Sequence, residues 1–170
     1  LQLTTTVAEI ACNGELGSVS LAGTGGTGKF EYRINQGAWQ SEPDFIDLHI
    51  GNYTFHVRDE NGCTEQSYVK LIEPEALTID LVESEPISCH NKSDGAFSVS
   101  ASGGTGSYDY SIDAANYQPG NTFSGLGEGT YNFTVRDENG CTTNSENHNL
   151  TNPEAINLSL FDKSDVSCVE

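Results

Sequence analysis

The chain has 170 residues and a formal net charge of −18, from 7 Lys and Arg against 25 Asp and Glu. So acidic a surface repels DNA, RNA and anionic lipid, and no basic cluster interleaved with aromatics offsets it, which excludes nucleic acid as a partner. No apolar run is long enough to cross a bilayer, so membrane insertion is not expected either.

In chain order the elements recur. Residues 17–34 ("GSVSLAGTGGTGKFEYRI") lie over residues 95–112 ("GAFSVSASGGTGSYDYSI") at an offset of 78 residues. Residues 51–64 ("GNYTFHVRDENGCT") lie over 129–142 ("GTYNFTVRDENGCT") at the same offset. The leaders "EIAC", "PISC" and "DVSC" end at Cys12, Cys89 and Cys168. The repeats are therefore expected at 1–76 and 77–155, with 156–170 as the first strand of a truncated third, and the chain reads as an internal piece of a longer array. "EPEA" (73–76) and "NPEA" (152–155) mark the junctions, where Pro ends a strand.

Within each repeat the apolar period is two. Val19 and Leu21, then Phe30, Tyr32 and Ile34, then Tyr53, Phe55 and Val57 each line one face of a strand. The second copy supplies Phe97, Val99 and Ala101, then Tyr108, Tyr110 and Ile112, then Tyr131, Phe133 and Val135. No segment has helical periodicity. Short alternating strands between Gly-rich turns predict an all-β fold of tandem immunoglobulin-like β-sandwich repeats of about 78 residues. "LHIGNY" and "LGEGTY" place Tyr53 and Tyr131 as a tyrosine corner would, ahead of strand F. The strands of the first copy are expected at 1–9 (A), 18–22 (B), 30–34 (C), 53–58 (F) and 64–72 (G), with short strands near Trp39 and Phe45.

"VRDENGC", at 57–63 and again at 135–141, is the densest polar motif. An EF-hand loop needs Gly at its sixth position and Glu at its twelfth, whereas Gly62 is fourth from Asp59. Asn-Gly between alternating strands instead signals a tight hairpin, both residues tolerating positive φ. Peripheral calcium at Asp59, Glu60, Asp137 or Glu138 is the competing reading; Glu73, Glu75, Asp80 and Glu83 near the junction are further acidic candidates without a ligand pattern. No other cofactor is implied. "GTGGTG" (23–28) lacks the Lys-Ser/Thr ending of a phosphate loop and leads into a strand, so it reads as the B–C turn.

Catalysis finds little support. His49, His56, His90 and His148 are scattered, and the counterparts of His49 and His56 are Gly127 and Thr134. His56 alternates outward with Thr54 and Arg58, as on a solvated strand face. Trp39 and its counterpart Tyr117 follow strand C; an aromatic there either stacks on a sugar ring or plugs the end of the sandwich. Sequons at Asn52, Asn91, Asn132, Asn149 and Asn157 matter only in a host that reads them.

The five cysteines, Cys12, Cys63, Cys89, Cys141 and Cys168, form neither a CxxC pair nor a Cys/His cluster, so zinc is not implied, and their wide spacing suits an oxidising setting. Two pairings are open. Within each repeat, Cys12 would join Cys63 and Cys89 would join Cys141, each closing a loop worth about 4 kcal/mol on the chain-entropy model. Strand directions oppose this: strand B alone would hold Cys12 and Cys63 about 15–20 Å apart, against a limit of about 7 Å between Cα atoms. Between repeats, Cys12 would reach Cys141. In either case Cys168 is left for a partner outside the chain.

A Cys before a Gly/Ser-rich strand, "GGTG" with Tyr-x-Tyr, then "GxYxxxVxDxNGC" resembles the SprB-type repeat of large surface adhesins from gliding bacteria, and both copies carry nearly all of this pattern. The Glu in "VRDENGC" stands where that family often has a small residue. The resemblance implies type IX export, an extracellular place on the cell surface, and a part in attachment or gliding motility. A structural spacer whose partners are neighbouring repeats is the first expectation, without enzymatic activity. A carbohydrate-binding module contacting surface polysaccharide through Trp39 and Tyr117, or an accessory domain of a secreted enzyme, are the alternatives.

Overall fold

The structure is a computed structural model and describes residues 1–159; Cys168 and most of the expected third-repeat strand at 156–170 lie outside the described residues. The first half of the chain folds as β1 (Gln2–Ala8), β2 (Gly17–Thr24), β3 (Glu31–Ile34), β4 (Asp44–Leu48), β5 (Gly51–Arg58) and β6 (Thr64–Leu71). Two antiparallel sheets result, in orders β1-β2-β4 and β3-β5-β6. These are the A-B-E and C-F-G layers of an immunoglobulin-like sandwich. The strand expected near Trp39 is reduced to one bridge, Tyr32 to Gln40.

Period-two alternation explains the layering. Along β2, Val19 and Leu21 face inward while Ser20 and Ala22 face out, and along β5 Phe55 and Val57 are fully buried. Ile10, Tyr32, Phe45, Val69 and Leu71 complete the core, with the Phe45 and Phe55 ring centroids 5.3 Å apart. Burying one such aliphatic or aromatic side chain contributes about 1.5–3 kcal/mol.

The second half repeats the plan as β7 (Thr78–Glu85), β8 (Gly95–Ser102), β9 (Asp109–Ser111), β10 (Thr122–Leu126), β11 (Gly129–Tyr131), β12 (Thr134–Arg136), β13 (Thr142–Asn144) and β14 (His148–Leu150). One layer is β10-β8-β7; the other is split into β13-β12-β9 and β11-β14. Its core holds Ile87, Phe97, Val99, Tyr110, Phe133, Val135 and Leu150. The split follows from length. Residues 142–155 carry one residue more than their counterparts 64–76, and the excess bulges at Ser145, whose N–H donates to the Phe133 carbonyl while its Oγ accepts from the Phe133 N–H.

Tyrosine corners close both halves: the Tyr53 hydroxyl donates to the His49 carbonyl at 2.8 Å and that of Tyr131 to the Gly127 carbonyl at 3.0 Å. Each pins the start of a strand F to the preceding loop.

Each half has two ends. One, the base, holds the B–C turn and the "DENGC" turn; the other, the crown, holds the leader before strand B and the last residues of strand G. The chain leaves the first crown through Glu73 and Pro74 and enters the second base, where the Gly104 N–H donates to the Glu75 carbonyl at 2.8 Å.

Candidate functional site

The base is built around one carboxylate. The Asp59 side chain accepts from the N–H groups of Asn61 (3.1 Å), Cys63 (2.9 Å) and Thr27 (3.1 Å), and is only 5% exposed. Its backbone N–H donates to the Cys63 carbonyl, and the Gly62 N–H returns to the Asp59 carbonyl. Only Gly62 has positive φ (81°); Asn61 does not. The hairpin is therefore not the two-residue turn with both φ positive that Asn-Gly predicts, but a type I turn closed by a glycine bulge. The reason is Asp59, which captures the Asn61 and Cys63 N–H groups and fixes the longer loop. Burial raises the Asp59 pKa, yet the N–H donors from Cys63, Thr27 and Asn61 outweigh it and hold the carboxyl below its ordinary value.

The same carboxylate ties the "DENGC" turn to the B–C turn through Thr27, and the Glu60 N–H donates to the Thr27 carbonyl at 3.0 Å. Asp137 repeats this in the second half, accepting from Thr105 and Cys141, with the Glu138 N–H on the Thr105 carbonyl. The carboxylates of Glu60 and Glu138 lie over Gly28 and Gly106, where a Cβ would collide with them. Asp59 and Asp137, singled out as calcium candidates, thus serve as staples between turns. Of the junction acids, Glu73 accepts from the Gly14 N–H at 2.6 Å and Asp80 from the Ser102 hydroxyl at 2.9 Å, while Glu83 is exposed on β7. Among the described residues no three His, Cys, Asp or Glu side chains are grouped to hold a metal ion.

The crown of the first half meets the base of the second, and there a disulfide joins Cys12 to Cys141, with 2.02 Å between sulfurs and 5.6 Å between Cα atoms. Neither within-repeat pair, Cys12 with Cys63 or Cys89 with Cys141, is formed; Cys63 and Cys89 are free and exposed. Strand direction is the cause, since Cys12 and Cys89 sit at crowns and Cys63 and Cys141 at bases. Beside the bond the Asn139 side-chain amide donates to the Ala11 carbonyl at 3.0 Å. The Asn13 amide donates to the Pro74 carbonyl at 3.0 Å, which steadies the leader against the exit strand. Gly103 (φ 75°) is required at the joint because the linker carbonyl of Ala76 occupies the space of a Cβ. The sequence supplied the cysteines and Glu73, the latter as an acidic candidate at the junction, but not the roles of Asn139 and Gly103; the repetition of "NGC" and "GGTG" at both bases was the available signal.

Trp39 does not plug the sandwich end. It lies half-buried against the outward side of the C-F-G sheet, with the guanidinium carbons of Arg33 and Arg58 at 4.6 and 4.5 Å from its ring centroid. Arg58 also pairs with Glu31 at 2.6 Å. Tyr117 is likewise covered by Arg136, at 4.1 Å, which pairs with Asp109 at 3.0 Å. His56 is half-buried on the same face, its pKa lowered by burial and then by the Arg33 charge.

Residues 81–116 match the family profile described as SprB repeat. No curated protein matches the chain. Solved structures of similar arrangement include the C-terminal 282-residue fragment of intimin, in complex with the translocated intimin receptor (Tir) intimin-binding domain, at 13% identity and TM-score 0.47, covering 90% of this chain and 64% of that one. Another is the amphioxus IgVJ-C2 molecule, at 13% identity and TM-score 0.35, covering 82% and 98%.

Proposed function

We propose, for a chain that carries an SprB repeat, a repeat type of cell-surface adhesins, that it is a load-bearing spacer in such an adhesin, displayed outside the cell and serving attachment or gliding. Its working units are the sandwiches at 1–76 and 77–155, and its partners are neighbouring repeats. One observation carries the reading: the covalent bond between Cys12 and Cys141 crosses from one sandwich to the other. Tension applied to the two ends runs into Cys12, across the sulfurs and out from Cys141, bypassing every strand between them and loading only β1 with Ile10 before the bond and β13 and β14 with Leu150 after it. A ligand-binding module has no need of such a bypass; a tether does. An oxidising location outside the cell suits the bond.

Stretching the chain by its ends in a single-molecule instrument tests this. The bond spans a sequence separation of 129, a length of chain that fully extended reaches about 430–460 Å. In oxidising buffer that length stays hidden, and in reductant it appears as the sandwiches open. Equal extension with and without reductant would sink the spacer reading.

A second reading is favoured by Trp39, which holds the guanidinium groups of Arg33 and Arg58 against its ring and so gathers positive charge and planar N–H donors for a surface polysaccharide bearing carboxylates. Titration of acidic and neutral polysaccharides into the chain, with Trp39→Ala as control, decides it: binding lost in the variant supports the site, and no binding to any sugar removes it.

A further inference from the structure

Cys63 and Cys89 stand at the two outer ends of the structure, one at the first base and one at the second crown. Each is the repeat counterpart of a cysteine already bonded at the central joint. Cys63 sits in the frame of Cys141: the Asp59 and Asp137 N–H groups donate to the Cys63 and Cys141 carbonyls at 3.0 Å each, and both cysteine N–H groups donate to the preceding Asp at 2.9 Å. Cys89 sits in the frame of Cys12: the N–H three residues on donates back to the cysteine carbonyl, from Glu15 at 3.2 Å and from Lys92 at 3.1 Å. Beyond the sulfurs, Asn61 corresponds to Asn139, which donates across the joint. His90 corresponds to Asn13, and its ring contacts the Pro153 carbonyl at 3.0 Å as Asn13 does that of Pro74. Both halves of the joint are thus preformed at the outer ends of the described residues.

The geometry points to a head-to-tail docking surface at each end whose partner is another sandwich of the same repeat type, here a second copy of this chain, locked by a disulfide from Cys89 of one copy to Cys63 of the next. The inference rests on the spacer reading and extends it from one joint to an open series. Base and crown are different surfaces, so the contact is heterologous and does not close on itself; it propagates as a filament.

Bond formation needs an electron acceptor, a low-molecular-weight disulfide. The Cys63 thiolate attacks one sulfur of oxidised glutathione and expels a glutathione thiolate. The Cys89 thiolate of the other copy then attacks the Cys63 sulfur of the mixed disulfide and expels the second. Two protein thiols become one disulfide, one glutathione disulfide is reduced, and the two thiol protons end on the two glutathiones.

The test uses the full chain with Cys168→Ser, so that no fifth thiol competes, as an equal mixture of isotopically light and heavy copies. It is reduced, reoxidised in a glutathione redox buffer, run on a non-reducing gel and mapped by mass spectrometry. The expected result is a ladder of multiples in which Cys63–Cys89 peptides outnumber the other inter-copy pairings and carry mixed light and heavy label in the half share that bonding between copies gives, and loss of most of that ladder in Asn61→Ala. Monomers capped by glutathione, or Cys63–Cys63 and Cys89–Cys89 bonds in the ratio that random collision gives, would overturn the inference, as would an undiminished ladder in Asn61→Ala. The Cys12–Cys141 peptide in the same digest separates the two claims. If it is present and Cys63–Cys89 is not, only the inference falls; if it is absent, the spacer reading falls as well.

Discussion

Asp59 and Asp137 decide more than their turns, because each holds two turns of a base together with backbone N–H donors that nothing else satisfies. The Asp59 carboxyl is held below its ordinary value, and so are Asp94, by Ser88 hydroxyl and N–H donors and by Lys92, and Asp113, by donors from Asn116, Ala115 and Ser111. A depressed folded pKa contributes stability that is present above the unfolded value, about 4, and is lost as pH falls through the folded value. Urea midpoints should therefore hold from pH 7 to about 5 and drop below about 4, with a smaller acid drop in Asp59→Asn. Glycines at the joint separate conformation from contact. Gly103→Ala meets both positive φ and the Ala76 carbonyl, and Gly140→Ala meets positive φ alone, with open space around it. The first should cost about 2–3 kcal/mol and slow formation of the Cys12–Cys141 bond; the second should cost about 1 kcal/mol. Equal losses on urea unfolding would show that the linker contact is unimportant.

At the scale of elements, the two copies show how one inserted residue is absorbed. Strand G of the first half runs unbroken from Thr64 to Leu71, whereas in the second half it divides around Ser145, which exchanges two hydrogen bonds with Phe133. The bulge keeps Phe133 fully buried against Phe97, their centroids 5.1 Å apart, on both sides of the interruption. Ser145→Ala leaves the Phe133 N–H without its acceptor, so a loss of about 1–2 kcal/mol is expected by denaturant titration, with the Phe133 contact unchanged by NMR. Period-two alternation marked Val19, Leu21, Tyr32, Phe55 and Val57 of the first core and Phe97, Val99, Tyr110, Phe133 and Val135 of the second, but not Ile10, Phe45, Val69, Leu71, Ile87 or Leu150. The type I turn with its glycine bulge was not legible, because Asn-Gly by itself favours a tighter turn and the competing donor capture by Asp59 depends on where Thr27 lies in space.

For the whole molecule, the bond between Cys12 and Cys141 ties two small cores to each other covalently. On the chain-entropy model a loop of this size is worth about 5 kcal/mol, and among the described residues no other covalent tie joins the halves except the linker at 73–76. Reduction should lower the melting temperature and replace one calorimetric transition by two, since each half then unfolds on its own core. A single transition in both states would mean that the joint couples the halves without the sulfurs.

The sequence by itself determined the repeat, the all-β class, the inward faces and the tyrosine corners, because these follow from local periodicity and from residues whose roles are settled within a few positions of the chain. Only the tertiary structure decided which cysteines meet, what the "DENG" acids do and where Trp39 lies. Those depend on which ends of two sandwiches are brought together and on donors more than thirty residues away. Strand direction could be reasoned in advance and argued against the within-repeat pair, but direction alone does not set the distance between two ends; packing of the linker against Gly103 and Gly104 does.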